Sequence, residues 1–202
     1  MFTLENDKLV FIHIRVEYIE ALHKADKEVS FAEKGYENKP YIALLLSHDG
    51  YQYAIPLTSA KLKHKDWPDV SEEKDRFLVY EMVNQGIYLG KKAIIQPGEN
   101  QESKDKHILA AIDLKKMIPV RREVTELVNI NLSDSDNPKT RKYKVLLNKE
   151  FQFCRGIKQE ILKAASELYD KQDIMVRAND SIPFCCNFKL LETVSDNYIP
   201  KD

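Results

Sequence analysis

Two short clusters hold residue types able to handle a phosphate. Thr58-Ser59-Ala60-Lys61 places a hydroxyl and an ammonium two residues apart. On an extended chain Ser59 and Lys61 project to the same side. There the hydroxyl can bind or orient a phosphate while the ammonium offsets the charge that builds on it. The same tetrapeptide also reads as a solvated turn after a strand. Its surroundings favour chemistry: Lys61, Lys63 and Lys65 alternate around His64, and Trp67 follows. A basic run with an aromatic suits a single-strand platform, with bases stacked on the ring and lysines on the phosphates. The alternative for Trp67 is a satellite core residue. The second cluster, Tyr36-Glu37-Asn38-Lys39, lies in the polar, turn-rich stretch 30–40. A loop and a strand end at one edge of a sheet can face each other, but the chain alone does not place these two together.

Other chemistries lack their signatures. There is no Gly-rich phosphate loop, no H-E-x-x-H and no G-x-S-x-G. His13, His23, His48, His64 and His107 are scattered, with no pair at helical metal-ligand spacing. Cys154, Cys185 and Cys186 are odd in number and form no C-x-x-C, so neither a disulfide framework nor a zinc site is expected. The thiols read as small buried hydrophobes. What remains is Ser, Thr, Lys, Arg, Tyr or an isolated His, the set a metal-free phosphoryl or acyl transfer site needs. No metal and no cofactor is expected.

These residues need a scaffold. KLVFIHIR (8–15) reads as an opening strand, and 16–28 as a helix with Val16, Ile19, Leu22 and Ala25 on one face. YIALLLS (41–47) and YQYAIPL (51–57) flank an Asp-Gly turn and read as a hairpin. Pro56 predicts that the second strand ends there or lies at an edge. The hairpin delivers residues 57–61 to the tip of a sheet, followed by polar loop over 61–75. Strands are predicted over 76–83 and 86–96, a flexible insertion over 97–107, and over 108–121 a strand, a turn, and a strand or extended Pro region. After a loop of capping and turn residues (130–140), a single long helix is predicted over 140–170. Leu147, Phe151, Cys154, Ile157, Ile161, Ala165 and Leu168 form its apolar stripe. The tail is read as a short helical IMVRAN and an extended SIPFCCNFKLLE.

The chain has 202 residues, 31 Lys plus Arg and 32 Asp plus Glu, for a formal charge of -1. That length suits one domain, 1–202. The charge excludes a uniformly basic nucleic-acid coat and an acidic tail, and requires any nucleic-acid face to be local. A hydrophobic fraction of 43% with Gly 6 and Pro 8 excludes collagen-like and disordered classes. The N-terminus does not read as a signal peptide, and no apolar run approaches the ~18 residues of a spanning helix. A cytoplasmic protein without membrane contact is expected.

The block KPYIALLLSHDGYQYAIPLTSAK (39–61) resembles the ToxN/AbiQ family, the endoribonuclease toxins of type III toxin–antitoxin systems. VEYIEALHKADKEV (16–29), AAIDLKKMIPV (110–120), LLNKEFQFCRGIKQEI (146–161) and CNFKLLE (186–192) resemble further family blocks, in order, over nearly the whole chain. The resemblance implies an α+β fold: a single compact domain with a strongly twisted antiparallel sheet wrapped by helices, akin to MazF/Kid-like toxins. It implies metal-independent RNA cleavage by 2′-hydroxyl attack, leaving a 2′,3′-cyclic phosphate and a 5′-hydroxyl, in abortive infection and phage defence. Residue by residue, Ser59 and Thr58 match the family's hydroxyls, Lys61 and Lys39 its lysines, and Tyr36 a loop tyrosine, with spacing to Lys39 one residue shorter here. Tyr18 matches a tyrosine of the first helix. His64 and Trp67 stand a few positions from the family's His or Trp. The insertion 88–107 has no counterpart.

The implied partner is a structured antitoxin RNA of pseudoknot units in a closed protein–RNA assembly, with no protein antitoxin; cellular or phage mRNA is the substrate. The clusters 61–65, 115–122 and 139–144 are candidate RNA faces, each of which also reads as an ordinary solvated face. They supply Lys63, Lys65, Lys115, Lys116, Arg121, Lys139, Arg141 and Lys142. The residues leave the general base open. A non-catalytic RNA-binding module using the same groove, and a protein-binding scaffold in which Thr58-Ser59 merely ends a strand, are the competing readings.

Overall fold

The computed structural model describes residues 9–31, 43–48, 50–87, 89–90, 92–98 and 104–200, with backbone alone for 43–46. The elements run β1 (Phe11–Ile14), α1 (Val16–Ala25), β2 (Ala43–His48), β3 (Tyr51–Ser59), β4 (Arg76–Asn84), β5 (Ile94–Gln96), β6 (Lys104–Asp113), β7 (Ile118–Val120), β8 (Thr125–Leu127), α2 (Pro138–Gly156), α3 (Lys158–Arg177) and α4 (Phe188–Asn197). The class is α+β with antiparallel strand pairing, as predicted. The contacts divide into two compact units. Residues 1–57, 113–128 and 159–202 form the first, and 58–112 with 129–158 the second.

In the first unit β1 pairs with β2 and β8, β2 with β3, and β3 with β7. His48 faces Tyr51, so the hairpin closes through two residues, and Gly50 takes φ 84°. That left-handed conformation is open to glycine without a Cβ penalty. The strand does not end at Pro56 but runs on to Ser59. Proline lacks only an N–H donor. Pairing with β7 stops at Ala54, so β7 asks no bond of Pro56, which lies opposite Ala43.

Helix α1 buries Tyr18, Ile19 and Leu22 at helical spacing. It contacts α4, which contacts β7. The tail differs from its reading. Residues 174–177 close α3, and FKLLE opens α4 rather than extending, because the Asn187 side chain accepts the Leu190 N–H at 3.1 Å and caps the helix. Cys185 and Cys186 are buried free thiols, as is Cys154 in the second unit.

In the second unit β5 pairs with β6, Ile94 opposite Ile108 and Gln96 opposite Lys106. Among the described residues of the predicted strand 86–96, Ile94–Gln96 is the part that forms a strand. Turns closed by Ile87 N–H to Asn84 C=O and Ala93 N–H to Gly90 C=O break the rest. Of the predicted flexible insertion 97–107, residues 99–103 lie outside the described residues, and residues 104–107 are corrected to strand: β6 begins at Lys104, and β5 pairs with it from Lys106 on. Helix α2 packs on β4, with the Tyr80 and Phe153 rings 4.9 Å apart. Asn137 caps it by accepting the Thr140 N–H at 2.9 Å. The single long helix over 140–170 is two helices. Ile157, at φ −110° and ψ 21°, leaves helical geometry between them. One continuous apolar period therefore serves two units, with Leu147 and Cys154 buried in one, and Ile161, Ala165 and Leu168 in the other.

Candidate functional site

Ala60 is the pivot of the candidate site. Its N–H donates to the Leu109 carbonyl of β6 at 3.0 Å. Its methyl packs against the buried cluster of Leu78, Ile108 and Ala111. Lys61 continues extended, at φ −129° and ψ 157°. With Ala60 turned inward, strand alternation turns Ser59 and Lys61 outward together. Both are exposed, and Thr58 is half-buried. The hydroxyl–ammonium pair predicted from spacing thus stands in the open on backbone that is tied down.

A short 3₁₀ turn over Leu62–Asp66 follows, held by His64. The His64 N–H donates to the Lys61 carbonyl at 2.8 Å, and the Lys61 N–H donates to His64 Nδ1 at 3.1 Å. An accepting Nδ1 requires a neutral ring protonated at Nε2. Burial holds the imidazole below its ordinary pKa, aided by Lys63 and Lys61. His64 is 1% exposed. The expectation that it touches RNA is therefore corrected: it positions Lys61 from beneath.

Trp67 is half-buried against the same cluster as Ala60. Its ring carries the Lys63 ammonium at 5.2 Å and the Arg76 guanidinium at 4.8 Å, with the His64 ring at 4.6 Å. The indole is thus occupied by the chain's own cations and a core contact, closer to the satellite-core reading than to an open stacking platform. Two residues missed in the sequence complete the frame. Arg76 stacks on Trp67, and the Gln96 amide donates to the His64 and Trp67 carbonyls at 3.3 and 2.8 Å. No local signal marks Gln96, since its partners lie 32 and 29 residues upstream.

Lys63 and Lys65 are exposed on this turn, and Lys139, Arg141 and Lys142 are exposed near the start of α2. The first turn of α2 has no acidic residue. Cations there oppose the helix dipole, each costing about 0.3–1 kcal/mol, so helix stability does not explain them.

The remaining predicted residues lie in the first unit or outside the described residues. Tyr18 is fully buried, its hydroxyl donating to the Pro119 carbonyl at 2.7 Å and lying in hydrogen-bond contact with the Ser195 hydroxyl at 2.9 Å. Burial raises its pKa to about 12. Contact with RNA is ruled out for Tyr18 by that burial, and it serves as a core anchor. Lys116 is half-buried and donates to the Glu28 carboxylate and carbonyl at 2.6 and 3.0 Å. Arg121 donates to the Tyr198 carbonyl at 2.6 Å, and Lys115 is half-buried. Tyr36 and Lys39 fall outside the described residues. Among the described residues no group of three or more His, Cys, Asp or Glu side chains is placed to hold a metal ion.

An exposed hydroxyl–ammonium pair on anchored backbone, beside further exposed lysines, has the chemistry to grip a phosphate, and it stands on an α+β scaffold. Comparison with known proteins makes that class specific. Residues 10–196 match the family model described as Toxin ToxN, type III toxin–antitoxin system. The chain is 28% identical over 184 residues to Endoribonuclease ToxN of Pectobacterium atrosepticum, covering 90% of this chain and 89% of that protein. It is 21% identical over 200 residues to Endoribonuclease ToxN of Bacillus thuringiensis subsp. kurstaki, covering 97% and 87%. A solved structure from work on a processed non-coding RNA that regulates a bacterial antiviral system superposes with a TM-score of 0.65 at 25% identity, covering 94% of this chain and 98% of that one. AbiQ, a lactococcal anti-phage endoribonuclease of a type III system, shares the fold with a TM-score of 0.60 at 18% identity, covering 94% and 96%. The chain belongs to the ToxN family of type III toxin–antitoxin toxins.

Proposed function

We propose that this chain, 1–202 acting as one functional domain, is an endoribonuclease toxin that cuts single-stranded RNA by transesterification and is restrained by a structured antitoxin RNA. The observation that carries the reading is the outward pair Ser59 and Lys61, fixed by the inward anchor of Ala60, in a chain of the ToxN family. The family match spans both compact units, which supports treating them as one functional domain. The related Endoribonuclease ToxN proteins support the activity. A neighbour described as selectively inhibited by a non-coding RNA pseudoknot supports the partner. Among the described residues no helix is long and apolar enough to cross a membrane, and the proposed compartment is the cytoplasm.

In the proposed reaction the ribose 2′-oxygen bonds to the adjacent phosphorus as the bond to the departing 5′-oxygen breaks. The 2′-hydroxyl loses its proton to a base, and the 5′-oxygen gains one. Thr58 and Ser59 hydrogen-bond the scissile phosphate. Lys61 offsets charge on the phosphorane, with Lys39 assigned beside it from the family resemblance. His64 keeps Lys61 in place. The exposed cations of 61–65 and of α2 hold flanking phosphates, which gives association a steep salt dependence.

The test is Ser59→Ala with a defined RNA. Because Ser59 is exposed, the variant keeps its circular dichroism and melting profile while cleavage falls about 10²–10³-fold, the usual cost of one preorganised donor. Products of the wild type carry 2′,3′-cyclic phosphate and 5′-hydroxyl ends, in EDTA as in its absence. A folded Ser59→Ala protein that cleaves at the wild-type rate overturns the assignment. A wild type that binds RNA without cutting it supports the binding-module alternative.

A further inference from the structure

The second unit holds a groove of which the proposed cutting site uses Lys65 alone. It has a volume of about 980 Å³ and begins at Lys65, one turn beyond Lys61. Val70, Met82 and Pro97 form apolar wall, and Lys65, Lys104 and Lys106 bring ammonium groups to it. Met82 is 47% exposed and Val70 41% exposed.

Its charged groups are arranged unequally. Lys106 is held by Asp69 at 2.6 and 2.7 Å, sits over the Tyr80 ring at 4.9 Å, and shares Asp69 with the Tyr80 hydroxyl. That inner cation is already compensated. Lys65 and Lys104 are exposed, and the lining carries three lysines against the two aspartates Asp66 and Asp69. One wall is rigid, because Gln96 clamps the carbonyls of His64 and Trp67.

Apolar surface between exposed ammonium groups is the chemistry of a strand of nucleotides, with base faces on the wall and phosphates on the lysines. The volume lies at the top of the range of about 300–1,000 Å³ for small-ligand pockets, so more than one nucleotide fits. A protein partner suits the groove less, since it offers no deep hydrophobic centre. Chain continuity between Lys61 and Lys65 makes it an extension of the proposed cutting site.

We infer that this groove is a subsite for the one or two nucleotides flanking the scissile bond, and that Met82 and Lys104 set how strongly the enzyme favours RNA that continues past the cut. The inference rests on the RNA-cleavage reading and adds the substrate contacts beyond the scissile phosphate. Specificity arises there because the flank is gripped through both base and phosphate, whereas Ser59 and Lys61 address a phosphate common to every site.

The experiment uses the full chain and oligoribonucleotides built on a cleavage site mapped with the wild type. One spans that site with four nucleotides on each side. Two others lack the flank on one side or the other. Met82→Glu/Lys104→Glu places two carboxylates in the groove, and Lys104→Gln removes one charge gently. For the double variant the ratio of kcat/KM on the long RNA to that on one truncated RNA falls about tenfold, carried by KM. Lys104→Gln gives a smaller fall and lowers the salt slope of binding by about one. Ratios equal to the wild type's for both truncations in both variants overturn the subsite while leaving the cleavage reading intact. A wild type that cuts no RNA, so that no site can be mapped, overturns both.

Discussion

Glu150 supplies a quantitative test of burial in α2. It is 5% exposed, and among the described residues no hydrogen bond or ion pair reaches its carboxyl. Desolvation alone pushes its pKa from 4.5 up to about 8. The folded chain therefore holds a proton that the unfolded chain has released. Between those two values the native state binds more protons, so stability falls as pH rises through the window and levels off above about pH 8. At about 1.36 kcal/mol per pKa unit the full penalty is of order 4–5 kcal/mol, and only about 1 kcal/mol of it is felt near pH 5. Glu150→Gln removes the titration while keeping the shape. The two proteins are unfolded in urea from about pH 5 to 9, and the advantage of the variant grows by ~3–4 kcal/mol across that range. A constant offset between an amide and a neutral acid does not affect this slope, and other titrating groups cancel in the difference. A gap that does not change with pH refutes the claim that Glu150 lies protonated in the fold.

Glu192 in the first unit is the opposite case, a buried carboxylate with donors. It accepts the Tyr53 hydroxyl at 2.6 Å and the Tyr169 hydroxyl at 2.5 Å, with the Lys189 ammonium at 3.1 Å. Glu192→Ala removes the acceptor that two buried phenols share and costs ~3–5 kcal/mol, whereas Tyr53→Phe removes one donor and costs ~1.5–3 kcal/mol; a Glu192→Ala protein with the wild-type urea midpoint refutes the network. His64 titrates by NMR below 6.5, since its folded pKa is depressed. The unfolded chain then takes up the proton first, so the stability tied to this turn is present above about pH 6.5 and is lost as pH falls. An imidazole titrating at or above 6.5 refutes the bond from the Lys61 N–H.

What was legible in the sequence was local. The outward pairing of Ser59 and Lys61 follows from two-residue alternation, and the hairpin before it from its Asp-Gly turn. Pro56 misled because the rule concerns a missing donor, and the cost depends on which neighbour needs that donor. The helix break at Ile157 was hidden because the apolar period continues through it. His64 and Tyr18 read from the sequence as RNA contacts, and both are buried. Ring types that suit nucleic acid also suit a core, and only burial distinguishes them.

Net charge was the least informative quantity, for a reason visible in the ion pairs. Asp69 is taken by Lys106, Glu81 by Lys149 and His107, Asp136 by Lys144, and Glu28 by Lys116. Each removes a lysine cation and an anion from the field seen by a partner. Among the described residues Lys61, Lys63, Lys65, Lys139, Arg141 and Lys142 enter no such pair, and all six are exposed. A formal charge of -1 therefore coexists with local surfaces that are strongly positive. The potential there decays over about 8 Å at physiological ionic strength, so distant acids do little to cancel it. On the proposed reading, that separation is what would let a nearly neutral chain hold RNA at the cutting site without coating RNA indiscriminately.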